Sequence, residues 1–545
     1  IKNETTPYMP PVKATTEQVR DLVAYLSRLD GVQPGPIAAP QEPGSPGIGF
    51  ARIIDPHPGD WLTYNGRLSG NRYSELTAIN RSNVSALVPK WTSSLGHFGL
   101  EVTPIVADGV MYVTGANQAF ALDALTGREI WHYARPTTPG LVGDAALGSN
   151  RGLAIRGDKV FMVTDNAHLI ALNRVTGSLV WEAVLPDEPQ HYGSTVAPLV
   201  VKDMVITGVS GGDRGIRGFL SAYKAATGER VWRLWTIPFR GQPGSETWKE
   251  KEPTFGGGAT WLTGSYDPET DTLYWPTGNP FPDSDDSERS GDNLFTDCVL
   301  ALNPDTGKLK WHYQFTPHDI HDWDATEPML LVDARYQGRD RKLLLHGDRN
   351  GFFYVLDRTD GQVLLAHPFV RVTWASGVDR DGRPQLLPGY IPPPGGNMVC
   401  PAGEATNWGA TAYSPATRLF YLMALEKCAF AVRHGSWTAR HPNLEPARKY
   451  LRALDIETGK IVWEIPETGT TESKHWSGVL ATAGGLLFYG DPSGAVVAVD
   501  ERDGKALWHF PTTDAIKASP MTYSTDGKQF VAIAAGATIL CFGLP

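Results

Sequence analysis

Ala121-Leu-Asp-Ala-Leu-Thr-Gly127, followed by Trp131, is the stretch on which the fold turns. The same frame recurs as Ala171…Gly177…Trp181, Ala222…Gly228…Trp232, Ala301…Gly307…Trp311, Ala453…Gly459…Trp463 and Ala498…Gly504…Trp508. In all six copies the tryptophan follows the alanine by ten residues. A degenerate seventh copy runs Val355…Gly361 to Leu365, and an orphan Pro89-Lys90-Trp91 closes an eighth. Each copy reads as a strand, a tight Thr-Gly or Asp-Gly turn and a second strand carrying the tryptophan. One four-stranded sheet leaves two faces to cover, and stacking sheets radially buries them, with a large ring at a fixed place as filler between neighbours. The expectation is an all-β, eight-bladed β-propeller whose repeated tryptophans dock blades and do no chemistry. At about 60 residues each, the blades exceed the roughly 40–45 of a WD40 blade, so long insertions must sit on them. The widest gap, between Trp311 and Trp463, holds the degenerate copy and a Pro/Gly-rich excursion around Gly389–Gly396.

Composition agrees. Gly 58 and Pro 42 among 545 residues suit many tight turns between short strands. The net charge of −10 excludes a nucleic-acid binder or a basic membrane-surface protein. No apolar run reaches the roughly 18 residues of a membrane span. Four cysteines without a CxxC exclude a disulfide-stapled miniprotein.

The N-terminal region is of another kind. Thr16 to Leu29 carries Val19, Leu22, Val23 and Leu26 at helical spacing behind a Thr cap, which predicts a short helix. A Pro-rich linker over 35–49 separates it from the propeller at 50–545. The chain opens on Ile1 with no basic, apolar leader, so it reads as a mature or cleaved form.

The densest polar run is Thr316-Pro-His-Asp-Ile-His-Asp-Trp-Asp-Ala325. Asp322 and Asp324 are two apart and fall on one side of an extended backbone, a spacing that suits an oxygen-seeking cation. His318 and His321 raise zinc as an alternative, weakened by the absence of a cysteine partner or an HExxH spacing.

Several further segments join this run in an order along the chain that resembles the quinoprotein dehydrogenases of the methanol/ethanol type, eight-bladed propellers that hold pyrroloquinoline quinone (PQQ). Gly256-Gly-Gly-Ala-Thr-Trp261 resembles the segment whose Trp forms the floor under the quinone, and Thr277-Gly-Asn-Pro280 the one whose Asn279 ligates the metal. Asp322 matches the family's catalytic base, and Arg349, in His346-Gly-Asp-Arg-Asn-Gly351, the arginine at the quinone carbonyls. Arg151, Thr195 and Ser210 fall where donors meet the cofactor's carboxylates, Asn407 and Trp408 where they line the pocket, and Trp476 near the substrate. The resemblance implies PQQ-dependent oxidation of a small alcohol by hydride transfer, in the periplasm, with a cytochrome c, fused or separate, as electron acceptor. It also implies a disulfide between Cys400 and Cys428. Cys298 and Cys541 lie in strand-like apolar runs and read as buried thiols. Physical chemistry agrees with the assignment: a flat tricarboxylate wants aromatic stacking plus Arg and hydroxyl donors, and the alcohol proton needs a base.

Three departures stand out. Where the family often has adjacent cysteines, this chain has Gly143-Asp-Ala-Ala-Leu-Gly148. Where it usually carries a metal-ligating Glu, this chain has the shorter Asp213. Asp324 sits where lanthanide-using relatives place an extra ligand. The expected metal set is therefore Asp213, Asn279, Asp322 and Asp324 around Ca²⁺, with a lanthanide as the alternative, and the cation is expected to hold Asp322 ionised. Residues 1–34 resemble the tail of a class I cytochrome c, with Tyr8-Met-Pro-Pro11 as its Met loop; heme c enters only if an upstream domain exists, since no CxxCH is present. The competing readings are an aldose or polyol dehydrogenase, disfavoured by Arg349 where sugar-oxidising relatives carry Lys, and a non-catalytic propeller scaffold, which would have no use for the filled central site.

Overall fold

The computed structural model describes residue 15 and residues 47–96, 99–188, 191–249, 256–442, 446–468 and 476–545. The chain divides into two compact units, Ile1–Ser45 and Pro46–Pro545. Apart from Thr15 the first unit lies outside the described residues, and with it the helix and most of the linker expected from the sequence.

Among the described residues the second unit holds eight antiparallel sheets of four strands, one of them widened by the short Tyr73–Ser74. The repeat sets their register. Alanine and tryptophan of each copy face each other across the two outer strands, as in Ala121↔Trp131, Ala301↔Trp311 and Ala498↔Trp508, and the register shifts immediately beyond the pair. The degenerate copy keeps the same register with Val355↔Leu365. Asp123 folds the turn between these strands by accepting the backbone N–H groups of Leu125 and Thr126. Such side-chain acceptance is the physical use of Asp at a turn.

The tryptophans bind each sheet to the next. Trp131 Nε1 donates to the Arg174 carbonyl at 2.9 Å, Trp181 to Ala225 at 3.2 Å, Trp232 to Pro304 at 2.8 Å and Trp463 to Glu501 at 3.3 Å. Each ring also lies on the repeat glycine of the following sheet. A Cβ at Gly177 would stand 2.6 Å from the Trp131 ring, and one at Gly307 2.5 Å from that of Trp232. These glycines also hold φ near +70°, so both the turn and the docked ring require the missing side chain. The ring of sheets closes where Val88–Ser94, from the start of the propeller, pairs with Thr538–Gly543 from its end. Trp508 donates to Leu87 and Trp91 to Ala124 across the seams on either side of that sheet. The eighth copy thus closes the circle, as the orphan Trp91 predicted.

The insertion in the widest gap forms a two-stranded ribbon, Ala375–Val378 with Pro384–Leu386, and a three-stranded sheet of Asn397–Val399, Ala429–His434 and Trp437–Pro442. Cys400 and Cys428 are disulfide-bonded there, while Cys298 and Cys541 are buried free thiols.

Candidate active site

The expected site residues lie in loops that either enter an innermost strand or leave the strand next to it. Arg151 precedes Ala154–Arg156, Thr195 precedes Leu199–Val201, and Asn407 and Trp408 precede Ala412–Ser414. Ser210 follows Met204–Gly208, Asn279 follows Thr272–Pro276 and Arg349 follows Arg339–Gly347. Because the two strands are antiparallel, both kinds of loop emerge at the same end of the propeller. They enclose a cavity of about 500 Å³ lined by Arg151, Thr195, Ser210, Asp213, Trp261 and Asn279, and by Asp322, Asp324, Arg349, Asn407 and Trp408. Residues from far-apart repeats therefore line one cavity.

Trp476 is the exception. It is fully buried and does not line this cavity. Its ring faces the Lys449 ammonium at 4.3 Å and belongs to the apolar cluster on which Trp408 packs. Its indole belongs to that apolar packing and is not among the residues that line the cavity.

Asp319 shapes the loop that carries the acids. Its two carboxylate oxygens accept the N–H groups of His321 and Trp323, both at 2.8 Å. Between them Asp322 is held at φ +64°, a conformation non-glycine residues adopt only under such constraint. The two histidines face different partners. His318 pairs with the Gly291 carbonyl and Asp286, and His321 with the Tyr390 carbonyl, with burial pushing its pKa down to about 3. Among the described residues they join no cluster of metal-ligand groups.

Arg349 lies at the centre of the acids. Its Nη2 is 2.8 Å from Asp324 and donates to Asn407 at 3.2 Å; its Nη1 is 3.5 Å from the Asp322 carboxylate. Asp324 also accepts the Asn279 N–H at 2.5 Å and the Trp261 indole N–H at 3.2 Å. That close approach needs Gly278, where a Cβ would stand 2.3 Å from Asp324 Oδ1. The Asn279 amide nitrogen donates to Pro280, which leaves its oxygen for the cavity. Although 35% of the Asp322 side chain opens to the cavity, its deep position pushes its carboxyl well above the ordinary range, with Asp213 and Asp324 adding to the push and Arg349 opposing it. Asp213 is pushed up to about 6 by desolvation and by Asp324. The protein's own groups thus favour the protonated form of Asp322, and a bound cation would act in the opposite sense.

Across the cavity Arg151 donates to the Thr195 hydroxyl at 2.7 Å and pairs with Glu101 at 2.8 Å. Its guanidinium lies 4.8 Å from the Trp261 ring and 5.5 Å from that of Trp408. Arg151 Nε and Trp408 Nε1 are buried donors with no hydrogen-bond partner among the described residues. Unspent donors beside aromatic faces and two hydroxyls fit a flat polycarboxylate such as PQQ, and Asp213, Asp322, Asp324 and the Asn279 amide oxygen offer the oxygen donors a hard cation takes, although the three carboxylates line the cavity without closing to one ligand cluster. Sequence reading missed Glu101, Glu404, Lys427 and Lys517, which also line the cavity. The repeat register carried a signal for Glu101, which precedes the inner strand Ile105–Ala107 much as Arg151 precedes its own.

Residues 61–373 and 426–531 match the β-propeller domain of PQQ-dependent glucose, ethanol and alcohol dehydrogenases. The chain is 37% identical to the quinoprotein alcohol dehydrogenase PedH of Pseudomonas putida, over 89% of this chain and 87% of that one. It is 37% identical to the lanthanide-dependent methanol dehydrogenase of Methylacidiphilum fumariolicum, over 89% and 85%. The crystal structure of the quinohemoprotein alcohol dehydrogenase from Comamonas testosteroni superposes with a TM-score of 0.83 at 33% identity, covering 91% of this chain and 82% of that one. With the propeller, the convergent site and these likenesses together, the chain belongs to the quinoprotein alcohol dehydrogenases, which oxidise alcohols with PQQ and a metal ion.

Proposed function

We propose that the cavity is the catalytic site of this alcohol dehydrogenase, with Asp322 as general base and Arg349 as the cationic group facing the cofactor. The observation that carries the reading is the convergence of Asp322, Asp324 and Arg349 with Trp261 and Asn279 in one cavity. When bound, PQQ supplies the two-electron acceptor for the alcohol's hydride, and the cation a Lewis acid. Trp261 gives the flat floor, and Arg151, Thr195, Ser210 and Trp408 supply donors for carboxylates. Asn407 steadies Arg349 through its side-chain oxygen. Asp322 takes the hydroxyl proton onto a carboxylate oxygen that opens to the cavity. Asp213, Asn279, Asp322 and Asp324 hold the cation. Three carboxylates favour an ion of higher charge, and together with the likeness to a lanthanide-dependent enzyme they turn the preference from Ca²⁺ to a lanthanide.

Residues 50–545 act as the catalytic propeller, 35–49 as a linker and 1–34 as the end of a cytochrome c-like domain. The quinohemoprotein relative supports a cytochrome c as electron acceptor, fused or separate. The Cys400–Cys428 disulfide supports an oxidising compartment, the periplasm. The substrate is a small alcohol rather than an aldose. Dye-linked oxidation by the purified protein with added PQQ, across alcohols and sugars and in La³⁺ or Ca²⁺ separately, tests the reading. Turnover of alcohols confined to wells holding both PQQ and a metal is expected; no turnover and no bound PQQ would overturn the site assignment.

A further inference from the structure

Behind Arg349, on the side away from the cavity, lies a second set of acids that the proposed chemistry does not use. Glu327, His346 and Asp348 are all fully buried, and their ligand-type atoms lie within 4.8 Å of one another. His346 Nε2 pairs with Asp348 at 3.1 Å and stands 3.8 Å from Glu327. Asp348 is fixed in turn by the Asn350 N–H at 2.8 Å. Neither oxygen of Glu327 accepts a hydrogen bond among the described residues, and Arg349 Nε, 3.4 Å away, likewise has no hydrogen-bond partner there.

A carboxylate without hydrogen bonds in a fully buried position is destabilising, and an apolar side chain of the same size would pack there at lower cost. The cluster could in outline hold a second metal ion. Arg349 argues against that, because its guanidinium already brings a positive charge against the same carboxylate and would repel a cation. What the arrangement does supply is a third fixed direction for the guanidinium. The acids on the cavity side, Asp322 and Asp324, draw the two Nη groups forward. Glu327 faces the Nε edge from behind at 3.4 Å, a charge contact without a hydrogen bond, and a planar group drawn from both edges keeps its plane.

We propose that Glu327 is a positioning residue for the dehydrogenase reaction, anchoring the Nε edge of Arg349 so that both Nη groups stay presented to the cavity, with His346 and Asp348 as its support. The inference rests on the reading of Arg349 given above. It asks for purified holoenzyme carrying Glu327→Gln, Glu327→Asp or Arg349→Ala, assayed for kcat and KM and for PQQ content, metal content and the absorption maximum of the bound quinone.

Arg349→Ala tests the underlying reading: full activity there would remove Arg349 from the chemistry whatever Glu327 does. With Arg349→Ala inactive, Glu327→Gln is expected to lower kcat about 10–100-fold, the range for losing an outer partner of a functional group. KM and the PQQ and metal contents should stay at wild-type values while the quinone absorption maximum shifts. Glu327→Asp, which keeps the carboxyl group, is expected to recover part of kcat. Wild-type kcat and an unmoved absorption maximum in Glu327→Gln would overturn the anchor. A second equivalent of metal in the wild type that Glu327→Gln loses would overturn it too, in favour of a metal ligand. Should Glu327→Gln fail to fold, Glu327→Asp carries the test, its shortened reach lowering kcat and shifting the absorption maximum if the anchor is real and leaving both unchanged if it is not.

Discussion

Arg349 Nη2 and the Asp324 carboxylate lie 2.8 Å apart, so the arginine at the centre of the cavity and the acid assigned to the cation are each other's partners in the protein itself. Asp324 also accepts from Asn279 and Trp261, which fixes it in place before any ion arrives. A carboxylate so placed serves two cations and neutralises neither fully. Asp324→Ala is therefore expected to weaken lanthanide-supported activity more than Ca²⁺-supported activity, because the ion of higher charge loses more from a missing carboxylate. Titrating each ion into metal-free protein in the dye-linked assay checks this. The half-saturating lanthanide concentration should rise by more than the roughly 10–100-fold typical of an outer partner, and an equal shift for both ions would remove Asp324 from the metal set.

Asp322→Asn keeps the shape of the side chain and removes the proton acceptor. Turnover should fall about 10²–10⁴-fold, the usual contribution of general base catalysis, while the protein still takes up PQQ. In the wild type, kcat/KM should rise with pH as Asp322 loses its proton. Burial and the neighbouring acids set that rise above the ordinary carboxylate range, and the better-bound cation should move it to lower pH. A pH profile and a turnover in Asp322→Asn equal to those of the wild type would exclude Asp322 as the base.

The propeller was legible because its signal is local and repeated. The alanine, glycine and tryptophan of each copy answer to one register and one docking contact, so a single chain shows the constraint six times over. The degenerate copy was legible too, since Leu365 keeps the position if not the indole. Site residues were legible one by one, through the motifs of a resemblance, because each lies in a short loop of recognisable sequence. What could not be read was any relation between segments that share no motif. Glu327 against Arg349, Glu101 against Arg151 and Lys449 over Trp476 are contacts between residues 22 or more apart with no shared motif. For the same reason Trp476 was expected near the substrate and is not among the residues that line the cavity.

Buried acids make stability depend on pH in a definite sense. Burial pushes Asp319 up to about 6, and burial with Asp491 nearby pushes Glu467 up to about 8. A carboxyl whose folded pKa lies above its unfolded value keeps its proton while the unfolded chain releases it, so stability is lost as pH rises from about 4 through the folded pKa. The loss due to Asp319 should be complete by about pH 6, and that due to Glu467 should continue to about pH 8. Acids held low by arginine or lysine act below pH 4 and do not enter this range. Thermal melts of metal-free protein should show a Tm falling between pH 6 and pH 8, with the fall reduced in Glu467→Gln. An unchanged slope in that variant would place the source of the pH dependence elsewhere.

The docking of Trp131 on Gly177 predicts a stability defect with no catalytic one. Alanine at 177 would place its Cβ 2.6 Å from the indole and at φ +71°, so it is both overpacked and in an unfavourable backbone region. The ring cannot move away without giving up its 2.9 Å bond to the Arg174 carbonyl, whose buried donor would then be unsatisfied. Overpacking alone is worth about 1–3 kcal/mol, a sizeable part of the roughly 5–15 kcal/mol that holds a folded domain together. Gly177→Ala should therefore lower the denaturation midpoint while leaving kcat per folded, PQQ-loaded molecule unchanged, since Gly177 belongs to a turn outside the cavity. Trp131→Phe should also be destabilising on its own, because the ring remains but the bond to Arg174 is lost. In the double variant the two losses should sum to less than their separate values, since the residues meet at one contact. Full additivity would mean that the indole and the glycine do not share the seam between the two sheets.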